Sequence, residues 1–161
     1  MKLKDELEAI EIYTSEIKNT IIQKRVGQVL EWNIKKATKY KFLFYLLSII
    51  IIILNASIPI INQINGYEIL ITIISSIVLA LTSIISLINF KDTWHRYRYT
   101  AEAIKGECMR FNCRTIEYRD ENRDTVFLER IERLISAERE LWIESRFNKK
   151  SVDAKEEKGK K

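Results

Sequence analysis

The sequence predicts an all-α membrane protein, a two-span transmembrane helical hairpin with long cytoplasmic helices forming a helical bundle. Three observations predict it. Between Phe42 and Phe90 the only Asp, Glu, Lys, Arg or His is Glu68, although 30% of the chain is charged. Two apolar runs in that window, Phe42 to Ile61 and Ile69 to Ile88, each have the length of about 20 residues that a helix needs to cross a hydrocarbon core. Between them Asn62, Gln63, Asn65 and Gly66 supply turn chemistry, and Pro59 disrupts the helix just before them. One helix through both runs would be too long for any bilayer, so the chain turns back. The pI of 9.1 and mean hydropathy of −0.14 would suit a soluble basic domain, but the segregation of charge argues otherwise. Chargeless runs of this length rarely occur in the cores of water-soluble folds. A cleaved signal peptide fits poorly, because the first run starts about forty residues in and lacks a small-residue cleavage pattern.

The elements follow in order. Residues 1–41 read as an N-terminal cytoplasmic helix, with Leu3, Leu7, Ile10, Thr14, Ile17 and Ile21 recurring at the three-and-four spacing of one helical face. The phase then slips to Ile22, Val26 and Val29, which places an irregularity near Gly27. Its polar face mixes Glu with Lys, which favours a packing helix over an interfacial one. The hairpin occupies 42–90. Lys35, Lys36, Lys39 and Lys41 precede the first span and Lys91, Arg96 and Arg98 follow the second, while the connection has no Lys or Arg. Basic residues stay inside, so both termini are expected in the cytoplasm of a multi-pass protein of the cell inner membrane. A cytoplasmic helical hairpin is expected over 91–148. Its first helix continues the second span without interruption, with Trp94, Tyr97, Ala101, Ile104, Cys108, Phe111, Thr115 and Tyr118 as the seam of a coiled coil or bundle. After the polar turn "DENRD", Phe127, Ile131, Leu134, Ile135, Leu141 and Trp142 mark a helix that folds back antiparallel. The Lys/Glu-rich tail 149–161 predicts disorder.

Catalysis has no visible apparatus, and no enzyme, cofactor or metal site is expected. His95, the only histidine, has no nucleophile or ligand cluster beside it. Cys108 and Cys113 are five apart and do not share a helical face; in a reducing cytoplasm they read as thiols. There is no glycine-rich phosphate loop. Basic residues alternate with acidic ones, unlike the one-signed stripe of a nucleic-acid binder.

From Trp94 to Trp142 the sequence resembles the bacterial two-transmembrane domains of the SLATT type, including a closely similar group known only as a domain of unknown function. The resemblance rests on Trp94, Tyr97, Arg98, Ala101, Glu102, Ile104, Lys105, Glu107, Phe111 and Tyr118, and then on Phe127, Arg130, Glu132, Ile135, Glu138 and Trp142. Gly106 stands where a charged residue is usual, and "TIEY" replaces Gly-Pro-Tyr before the turn. The resemblance implies a homo-oligomeric membrane effector that opens pores in anti-phage or nucleotide-signalling defence, answering to a cytoplasmic sensor protein or a nucleotide signal. A polar stripe is compatible with a pore: Thr72, Ser75, Thr82, Ser86 and Asn89 share one face of the second span, and Ser48, Asn55 and Asn62 recur every seven residues in and just after the first. Small polar residues also let membrane helices pack closely. The rival reading is therefore a membrane-anchored helical scaffold that recruits soluble partners.

Overall fold

The computed structural model describes residues 3–64, 66–137 and 140. Among these residues all regular structure is helical. The elements are α1 (Leu3–Glu8), α2 (Ile10–Thr14), α3 (Thr20–Ile61), α4 (Glu68–Ile88), α5 (Phe90–Asn112) and a 3-10 turn at Ile116–Tyr118. A last helix, α6, covers residues 123–137. The chain divides into two compact units: residues up to 33 with those from 99 onward, and Ile34–Arg98.

The first unit is a helical core. Val26 and Leu30 of α3, Ile104, Cys108 and Phe111 of α5, Tyr118 of the 3-10 turn, and Phe127 and Ile131 of α6 are all fully buried in one cluster. Burying a side chain of this size stabilises by about 1.5–3 kcal/mol. Phe111 centres it, with its ring 4.5 Å from that of Phe127 and 5.5 Å from that of Tyr118. Phe127 meets Phe111 and Arg130 meets Glu107, so α6 runs antiparallel to α5. Glu6 meets Lys105 and Tyr13 meets Asn112, so α1 and α2 run parallel to it.

The N-terminal segment departs from one continuous helix. It is two short helices followed by a break at residues 15–19, and α3 then runs through Gly27 uninterrupted. The phase slip read near Gly27 is the start of α3. The Asn19 side-chain oxygen accepts from the amides of Ile21 and Ile22 at 3.0 and 3.4 Å, a cap that stabilises by about 1 kcal/mol. The new phase buries Ile22 and leaves Ile21 80% exposed. The seam of α5 also stops earlier than its spacing implies. At Asn112 the amide of Thr115 bonds to the carbonyl of Arg110 and that of Arg114 to the carbonyl of Phe111, with Arg114 left-handed at φ 48°. That is a Schellman ending. The 3-10 turn, not a continued helix, then brings Tyr118 into the core.

The second unit is the hairpin. Its apolar helices pack side by side and are candidate membrane spans; the 21 residues of α4 reach about 32 Å at 1.5 Å per residue, enough for a hydrocarbon core. Pro59 lies in the last turn of α3, two residues before its end. Gly66, at φ 93°, supplies a conformation that L side chains rarely adopt. The covered face of α4 is Ile71, Ile74, Val78, Leu81 and Ile85, each only partly shielded, and α4 buries no residue fully. In α3, Leu47, Ile51, Leu54 and Ile58 are partly shielded at the same three-and-four spacing. Beyond the spans Tyr40 packs 6.0 Å from Phe90 and stacks 5.9 Å from Tyr97.

The second span does not continue smoothly into α5. Asn89 adopts the left-handed conformation, φ 51° and ψ 52°, and its side chain donates to Asp92. Asn visits this region more readily than most residues. The covered positions step by three or four along α4 and again from Phe90 to Trp94 to Tyr97, but by five from Ile85 to Phe90. Asn89 absorbs the extra residue.

Candidate functional site

Two groups of the residues singled out by the sequence come together, one in each unit. In the hairpin, Thr72, Ser75, Thr82, Ser86 and Asn89 are all exposed. Each lies one residue beyond a position of the covered face or in register with it by heptads, so the stripe is rotated about 100° from the face that packs on α3. The hydroxyls of Thr72 and Thr82 bond to the carbonyls of Glu68 and Val78 at 3.0 and 2.8 Å, as do those of Ser76 and Ser83 to Thr72 and Leu79. Such back-bonding satisfies a hydroxyl within its own helix. Asn89 differs from its neighbours on the stripe, serving as the left-handed link to α5. In and after the first span the seven-residue series divides: Ser48 is partly covered and bonds to the Phe44 carbonyl at 2.7 Å, while Asn55 and Asn62 are exposed.

In the helical unit, Glu107, Tyr118 and Arg130 converge. Glu107 is buried, three residues past Ile104 and four before Phe111. It accepts from the fully buried Tyr118 hydroxyl, from Arg130 at 3.2 Å and from Arg110 at 3.3 Å. Arg130 also donates to Glu117 and lies over the Tyr118 ring, 5.6 Å from its centre. Two Arg partners and a phenol compensate a carboxylate that would otherwise be costly to bury. The electrostatics follow from these contacts. Burial, then the hydrogen bond to Glu107, pushes the Tyr118 phenol well up. The hydrogen bond from Arg130 holds Glu117 below the ordinary carboxylate range, and the Arg130 guanidinium is held more firmly protonated by Glu117 and Glu107. Burial, with the Glu107 charge next to it, pushes the Cys108 thiol up to about 12.

The remaining signature residues are dispersed. Lys41 lies 5.6 Å from the centre of the Trp94 ring, and Tyr97 stacks on Tyr40. Arg98 is partly shielded. Glu102 pairs with Lys105 at 3.1 Å. Glu138 and Trp142 lie outside the described residues. Sequence reasoning missed one buried ion pair: Lys105 to Glu6 at 2.7 Å, with both side chains almost wholly buried. The signal was available, since Glu6 and Lys105 each sit within the apolar stripe of their own helix and carry opposite charge. The arrangement as a whole is a scaffold of charge and packing. Among the described residues no group of three metal-ligating side chains comes together.

A family model described as a protein of unknown function, DUF4231, matches residues 28–125. The chain belongs to the DUF4231 family. The matched stretch of DUF4231 runs from within α3 through the hairpin, α5 and the 3-10 turn to the start of α6. Glu107 and Tyr118 therefore fall inside the family region, and their partner Arg130 falls outside it. No curated protein and no solved structure matches this DUF4231 chain.

Proposed function

We propose that the chain is a homo-oligomeric, pore-forming membrane effector of the SLATT kind, without catalytic activity. It sits in the inner membrane with both termini in the cytoplasm, and acts in anti-phage or nucleotide-signalling defence. One observation carries the reading: the hydroxyl stripe of α4 is exposed and turned away from the only helix that packs on α4 in the hairpin. Two spans enclose no water, so a path along this stripe requires further copies of the chain. The cytoplasmic helices would assemble or gate it, answering to a sensor protein or a nucleotide signal. No nucleic acid is expected as a partner.

Changing Ser75, Thr82 and Ser86 to Leu one at a time tests this. Leu is tolerated by lipid but dewets a narrow lumen. The variants should insert and crosslink like wild type while leakage of dye or ions from liposomes falls. Leakage retained unchanged by all three removes the stripe from the conduction path. Orientation is read with an impermeant thiol reagent on intact cells, using single cysteines at Asn65 and Ser151 in a background lacking Cys108 and Cys113. Only the cysteine at Asn65 should label, and the reverse pattern inverts the topology.

A second reading is a membrane-anchored scaffold recruiting soluble partners. It is favoured by the back-bonding of Thr72 and Thr82, which leaves their hydroxyls satisfied against lipid, and by spans free of charge, since conduction paths often carry ionisable groups. Under it the Leu variants lose nothing, or lose the oligomer itself where the stripe is a packing face.

A further inference from the structure

We propose that the basic end of the hairpin is a binding surface for anionic phospholipid headgroups, whose phosphates pair with Lys39, Lys41, Lys91 and Arg96. The proposal rests on the reading that the hairpin spans a bilayer. Lys39 and Lys41 lie just before the first apolar run, and Lys91, Trp94 and Arg96 lie just after the second. The packing of Tyr40 on Phe90 and Tyr97 brings the two stretches to one level. Asp92 is the only carboxylate between residues 34 and 98 besides Glu68, and it already accepts from Asn89. None of Lys39, Lys41, Lys91 and Arg96 forms an ion pair among the described residues.

The cations are also open to an outside group. Lys39, Lys41 and Lys91 are exposed, and Lys41 stands over the Trp94 ring, 5.6 Å from its centre. At the end of a membrane span the groups that carry negative charge are lipid phosphates. Four unpaired cations select lipids of net negative charge over zwitterionic ones, whose own ammonium group competes.

The test uses the full chain reconstituted in vesicles of equal parts phosphatidylcholine and phosphatidylglycerol. The chain is then extracted into mild detergent and its co-purified lipid is quantified. Wild type should retain phosphatidylglycerol in preference to phosphatidylcholine. Lys41→Gln, Arg96→Gln and Lys39→Gln should each lower that preference roughly fivefold, as expected for one cation near an anionic surface. Lys24→Gln in the helical unit should leave it unchanged. Lys39 and Lys41 are exposed, so their variants keep the test valid if the Arg96 variant fails to fold. Equal retention of both lipids in wild type, or an unchanged preference in the Lys41, Lys39 and Arg96 variants, overturns the proposal. Displacement of the bound lipid by millimolar inorganic phosphate also overturns it, because the surface then takes free anions. An alkaline carbonate wash separates the premises. A chain released by the wash sinks the spanning reading itself, while a chain that stays in the vesicles without lipid preference sinks only the headgroup surface.

Discussion

The helical unit and the hairpin are built from the same spacing of three and four, yet they use it differently. In the helical unit the spaced positions Ala101, Ile104, Cys108 and Phe111 have no exposed surface. In α4 the equivalent series from Ile71 to Ile85 is covered only in part, and Leu79 and Leu87 are 70% and 85% exposed. One unit buries its apolar seam and pairs the charges it buries, Glu6 with Lys105 and Glu107 with Arg130. The other leaves most of a chargeless surface uncovered, which water does not permit at this length and lipid does. Periodicity therefore identifies faces, and does not by itself say what covers them.

The largest expected effect breaks the comparison at its sharpest point. Phe111→Ala empties the centre of the aromatic cluster and should cost about 3–5 kcal/mol, read as loss of the thermal transition in detergent. Leu79→Ala should leave that transition within about 0.5 kcal/mol of wild type. A loss from Leu79→Ala approaching that of Phe111→Ala would mean that another copy covers α4 in the solubilised protein.

A middle-sized effect concerns charge. Glu107→Gln removes the buried charge that faces one phenol and two guanidinium groups and turns one accepting oxygen into a donor, and should cost about 1.5–3 kcal/mol, measured by the same melt. Glu117, on the outside of the same cluster, sets a pH dependence. Arg130 holds its folded carboxyl below the ordinary value of 4.5, so the folded state binds fewer protons near that pH than the unfolded state. The pair's contribution is full above 4.5 and fades as the pH falls through the lower folded value. Between roughly pH 5 and pH 3 the melting temperature of wild type should fall more steeply than that of Glu117→Gln. Parallel curves would detach Glu117 from the cluster.

The smallest effect is a gain. Arg114 holds a left-handed conformation at the end of α5, where Gly avoids the steric cost of a Cβ. Arg114→Gly should stabilise by up to about 1 kcal/mol. A loss would show that the side chain makes a contact worth more than the strain.

The spans were legible because two apolar runs of bilayer length leave few alternatives, and the buried face of α5 was legible from Ala101 to Phe111 because burial there follows helical phase. The rest depended on pairings remote in sequence or on single backbone conformations. Nothing local to Gly27 says that the break belongs at residues 15–19; the cap made by Asn19 does, and Asn is common in many other places. Glu107 and Tyr118 stood out as signature residues, but that they meet needed the Schellman ending, which no glycine announces. Asn89 was read as one more polar residue on a stripe because its side chain fits the spacing, while its backbone serves a different purpose.

That backbone has a geometric consequence. In an unbroken α-helix Ile85 and Phe90 would stand about 140° apart, because five residues turn through 500°. They could not both face α3. The left-handed residue between them stores that angle, so the 45-residue stretch Glu68–Asn112 does not act as one stiff shaft. Deleting this one residue would shorten the step to four and bring the two faces to within about 40° of each other, turning a jointed rod into a continuous torsional coupling.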